Sequence, residues 1–97
     1  MPVEFNSGDG PYLAWLGAHP TGYVLNTERS HPPGYMVLHR ASCPSISVLV
    51  PPARPGGFTE RDYIKVCAEG VADLSAWVRL HGRPNGSFSK RCPRCDP

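Results

Sequence analysis

The sequence predicts an α+β domain: a small antiparallel sheet of three to four strands with two helices packed on one face. Three observations carry this. Two runs with helical apolar spacing bracket a stretch of strand-like runs. That stretch lacks the strand–helix alternation of a parallel α/β fold. The last fifteen residues, 83–97, have no periodic pattern and end in a Cys-x-x-Cys pair.

Residues 1–8 read as a flexible lead-in to a single domain spanning 1–97. The first helix is expected from Pro11 to Ala18. Asp9 is placed to cap it, Pro11 suits its first turn, and Tyr12, Trp15 and Leu16 share a face. His19-Pro20 ends it, because a residue before proline avoids the helical region. Tyr23–Thr27 and Tyr35–Arg40 read as the two strands of a hairpin, joined by a turn carrying Pro32, Pro33 and Gly34. Ile46–Val50 reads as a third strand, and PPARPGGFTERD as a surface loop. Tyr63–Ala68 is a fourth strand, with Ile64, Val66 and Ala68 on one face and Tyr63, Lys65 and Cys67 on the other. Val71–Leu80 is the second helix, with an apolar stripe of Val71, Leu74, Trp77 and Val78 and a stop at Gly82.

A chain of 97 residues with 12 Pro and 10 Gly has much of its length in loops and only a modest core. A staple would help it, and four cysteines offer one. The N-terminus has no basic n-region and no long apolar stretch, so neither a signal peptide nor a membrane span is expected. A cytoplasmic setting follows as the default, and there thiolates bind metal more readily than they form structural disulfides.

Structural zinc takes four soft or borderline donors, often as two close pairs brought together by the fold. Cys92-Pro-Arg-Cys95 is one such pair. His39 and Cys43 are the best second pair, separated by three residues at the end of the second strand. The expected site is a structural Zn²⁺ held by His39, Cys43, Cys92 and Cys95, which would also give the unpatterned tail a reason to be ordered. Cys67 is the rival third thiolate, and His31 or His81 can stand in for His39. A redox Cys92–Cys95 pair, two disulfides, or free thiols are the competing uses of the same cysteines.

The net charge of +2 is too small to establish a nucleic-acid partner. The tail concentrates it: Arg83, Lys90, Arg91 and Arg94 face only Asp96. Arg83, Lys90, Arg91, Arg94 and Lys65 are therefore candidate phosphate contacts, and Phe88 a candidate stacking platform for DNA or RNA. The competing reading is a structural or protein-interaction zinc module, with contacts through the two Pro-rich loops. A small metal-dependent nuclease is a third reading. The triplets Gly22-Tyr23-Val24 and Gly34-Tyr35-Met36 invite comparison with GIY-YIG nucleases, but the second is not mirrored and no arginine-bearing helix follows it. No complete catalytic constellation is present in the sequence, and no catalytic residue is assigned.

LHRASC, YIKVC and the terminal Cys-x-x-Cys resemble elements of a poorly characterised family of small bacterial zinc-binding-type domains. Some members of that family occur beside restriction or mobile-element functions. The resemblance runs from about Tyr12 to Cys95 and implies an association with DNA.

Overall fold

The computed structural model describes residues 2–48 and 56–97. The elements run β1 (Val3–Phe5), α1 (Asp9–Ala18), β2 (Tyr23–Glu28), β3 (Met36–Arg40), a 3-10 turn (Pro44–Ile46), β4 (Tyr63–Ala68), α2 (Val71–Leu80) and β5 (Lys90–Arg91). The fold is α+β, as expected, but the sheet has five strands in the order β1-β4-β2-β3-β5. It is mixed: β5 runs parallel to β3, and the other pairings are antiparallel.

The two additional strands come from the segments expected to be a flexible lead-in and a patternless tail. Three and two residues are too few to show a period, and each adds to the edge of a strand already in place. β2 and β3 form the expected hairpin, with Leu25 opposite Leu38 and Val24 opposite His39. The expected strand at Ile46–Val50 is not formed where the structure describes it. Pro44 fixes the backbone for a 3-10 turn, and the Ile46 carbonyl accepts the Tyr12 hydroxyl at 2.6 Å. Leu49 and Val50 lie outside the described residues.

The helices pack on opposite faces of the sheet, not on one. Val24 and Cys67 face α1 through Tyr12 and Leu16, together with Ile46 and Phe58. Leu25, Val66 and Ala68 face α2 through Leu74 and Val78, together with Met36 and Leu38. The reason lies in β4, where every residue from Ile64 to Ala68 is buried. A strand buried on both sides needs cover on both sides, and one helix goes to each.

Asp9 is not the cap of α1 but its first residue, with Gly8 at the cap position. The Glu60 carboxylate does the capping from the loop, accepting the Asp9 N–H at 3.1 Å. The Asp9 carboxylate is turned inward. It accepts Thr59 N–H at 2.8 Å, Thr59 Oγ1–H at 2.7 Å and Phe58 N–H at 3.3 Å. Both helices end in the same way. His19 and His81 stack on the tryptophan four residues back, at 4.2 and 3.7 Å, and donate Nδ1–H to its carbonyl. Gly82 then stops α2 with φ +107°, as its type and position predict.

Asp9→Ala leaves three buried donors without an acceptor. It should cost about 3 kcal/mol in urea denaturation, because each orphaned group keeps its desolvation penalty.

Candidate metal centre

The centre is assembled from two chain segments. β3 delivers His39 on the α1 face of the sheet, beside Val24. A tight turn follows, closed by the Cys43 N–H on the Arg40 carbonyl at 3.0 Å, and Pro44 carries the chain away from Cys43. The second segment is the tail. Ser89 N–H binds the Met36 carbonyl, and Ser89 Oγ accepts the Met36 N–H at 2.7 Å. The Cys92 N–H reaches the Leu38 carbonyl at 2.9 Å, which sets Cys92 beside His39. The chain then turns back, Asp96 N–H to Cys92 carbonyl at 3.0 Å, and brings Cys95 into place.

The candidate ligand atoms of His39, Cys43, Cys92 and Cys95 all lie within 4.8 Å of one another. The Cys43 and Cys92 sulfurs are 3.9 Å apart. A tetrahedral zinc with Zn–S bonds of about 2.3 Å needs sulfurs about 3.8 Å apart, so the spacing matches one edge of such a site. All four cysteines are free thiols. His39, Cys43 and Cys92 are buried and Cys95 is half-buried, which leaves the centre enclosed.

Its electrostatics favour a cation. Burial pushes the Cys92 thiol up, but the backbone N–H groups of Cys95 and Arg94 outweigh this and hold it below the ordinary thiol value. Cys95 goes the other way, up to about 11. Burial is the main cause, and the sulfurs of Cys43 and Cys92 oppose another thiolate beside them despite the Arg40 N–H. Holding all three of these thiols as thiolates in so small a space would require a positive charge between them. Burial, helped by the charge of Lys65, lowers His39 to about 4, so its imidazole is neutral near pH 7, the form that ligates. His39 Nδ1 is buried without a hydrogen-bond partner, and ligation through it would satisfy it.

The rival ligands lie elsewhere. Cys67 is wholly buried in the α1-side core, paired across the sheet with Val3 and Val24, and burial pushes its thiol up to about 12. His31 and His81 meet edge-on at 5.1 Å and both contact Trp77 on α2.

The candidate nucleic-acid residues divide into two groups. Lys90, Arg91 and Arg94 are exposed on β5 and the Cys92–Cys95 turn. Arg91 lies 5.6 Å over the Phe88 ring and donates to the Pro97 carbonyl. Phe88 itself packs on the α2-side core. Arg83 is spent internally, donating to the Pro33 carbonyl and to Ser87. Lys65 is 3% exposed and donates Nζ–H to the Phe58 carbonyl at 2.7 Å, out of reach of a phosphate.

Arg40 was not legible as part of the site. Its N–H donates to Cys95 Sγ at 3.3 Å, and its guanidinium binds the Cys95 and Asp96 carbonyls at 2.9 and 3.0 Å. In sequence it is one more charged residue at a strand end.

No family model, curated protein or solved structure matches this chain.

Protein purified without added metal should carry about one equivalent of zinc by atomic emission. Cys92→Ser should lose it and Cys67→Ser should keep it. With free zinc at a thousand times Kd, chelation should lower stability by about 4 kcal/mol. A separate expectation concerns Lys65, which burial lowers from 10.5 to about 8 against the opposing pull of Asp9. Between those values the unfolded chain holds a proton that the fold releases. Stability should therefore rise as pH climbs through that window, and Lys65→Met should flatten the rise in urea titrations.

Proposed function

We propose that this chain is a zinc-stapled domain that binds nucleic acid, acting as an accessory to a DNA-processing system. The carrying observation is the placement of Lys90, Arg91 and Arg94. All three are exposed on the segment that carries two of the four candidate ligands. A metal that holds Cys92 and Cys95 would also hold these cations in a fixed array. Preorganised cations lose less freedom on meeting phosphates than a free tail would.

Four protein donors give zinc a closed shell, with no open position for a water nucleophile. This supports a structural metal over a small metal-dependent nuclease. Among the described residues no helix is long and apolar enough to cross a membrane. The internal use of Arg83, Lys65 and Phe88 favours a second reading, a protein-interaction or purely structural module, because it thins the expected cationic and stacking surface.

Fluorescence anisotropy with labelled single- and double-stranded DNA and RNA distinguishes the two. Binding should fall steeply with salt, and each lost phosphate contact should reduce the log–log slope by about 1. The double variant Lys90→Ala/Arg94→Ala should weaken binding about tenfold while retaining zinc. Absence of binding at low salt would remove the nucleic-acid reading, and recovery of a protein partner by pull-down would then select the second.

A further inference from the structure

Beside the candidate metal centre lies a cavity of about 330 Å³, within the range of small-ligand sites. Asn26, Val37 and Lys90 form one row across β2, β3 and β5 on its sheet side. Tyr35 stands at one end and His39 and Cys92 at the other, and Ser45 also lines it. Asn26 Oδ1 is buried there without a hydrogen-bond partner, and its Nδ2 makes only a long 3.4 Å bond to the Tyr35 hydroxyl. Asn26 as a whole is half-buried, so its amide keeps unused hydrogen-bonding capacity on the cavity wall.

We propose that this cavity takes one unstacked base of a single-stranded nucleic acid. The assignment rests on the nucleic-acid reading above and names the part of the polymer that is recognised. An unstacked base exposes N–H donors on its pairing edge, and an amide side chain binds such edges with paired donor and acceptor. Tyr35, 37% exposed, supplies an aromatic platform. Lys90 is exposed at the end of the row, where the flanking phosphate of a bound base would lie. An apolar occupant would leave the half-buried amide of Asn26 without a partner.

His39 and Cys92 are at once walls of this cavity and candidate metal ligands. A bound base therefore reports on the metal. Cobalt(II) in place of zinc gives absorption bands sensitive to the geometry of these two donors.

The test uses the full metal-loaded chain and three probes: oligodeoxythymidylate, an abasic strand of equal length, and thymidine monophosphate. The base-bearing strand should bind about tenfold tighter than the abasic strand. It alone of the two strands should shift the cobalt bands. Asn26→Ala should erase the difference between strands while leaving abasic binding and the cobalt spectrum of the free protein unchanged, which shows the fold intact. Equal binding of the two strands, insensitive to Asn26→Ala, overturns the base assignment and leaves phosphate binding standing. Failure of both strands to bind overturns the nucleic-acid reading and this assignment with it. Binding of the mononucleotide as tight as that of the strand overturns the polymer as the ligand.

Discussion

β5 has two residues and pairs in parallel along the outer edge of β3. So short a parallel pairing is weak alone, and the tail beyond it has little apolar surface to bury. Its hold comes from a run of polar contacts: Ser89 on Met36, Cys92 on Leu38, and Arg40 on Cys95 and Asp96. These bring Cys92 and Cys95 to His39 and Cys43. The pairing and the ligand cluster depend on each other. Without the pairing the two halves of the site are separate chain segments, and without a cation the sulfurs repel as they ionise. The cavity and the exposed cations of the tail both inherit their geometry from this junction.

The rest of the molecule supports that junction by covering both faces of the sheet. α2 seals one side with Leu74 and Val78. The α1 side is more heterogeneous: the turn at Pro44–Ile46 and the loop around Phe58 and Thr59 pack there beside the helix. Polar anchors hold that loop. Asp9 receives donors from Phe58 and Thr59. The Arg29 guanidinium donates to the carbonyls of Asn6, Thr59 and Arg61. Lys65 caps the Phe58 carbonyl from within. Backbone groups buried without regular structure need such partners, and here charged side chains provide them.

One of those charged residues, Lys65, was read from the sequence as a surface cation, and its contrast with Lys90 is instructive. Lys65 and Lys90 lie in one row on the same face of the sheet, linked through Asn26 and Val37. Lys65 is on a central strand under the Phe58 loop; Lys90 is on an edge strand and open to solvent. Residue type does not separate them, because burial is a property of the neighbours.

By itself the sequence determined the parts whose signal is local. Helix positions, the hairpin, the alternation of β4 and the stop at Gly82 follow from apolar period and backbone preference, which act over a few residues. The clustering of His39, Cys43, Cys92 and Cys95 was legible too, because metal chemistry restricts which residue types can gather and each pair has close spacing. The tertiary structure alone decided the rest. Which face each helix covers, which short segments became β1 and β5, and the diversion of Pro44–Ile46 from strand to turn all depend on partners distant in sequence. So do Arg40 at the centre and Asn26 in the cavity, whose roles come from groups 55 residues away for the one and from an enclosure shared by three strands for the other. Long-range contacts of that kind leave no period or spacing in the chain; they exist only once the sheet has brought its edges together.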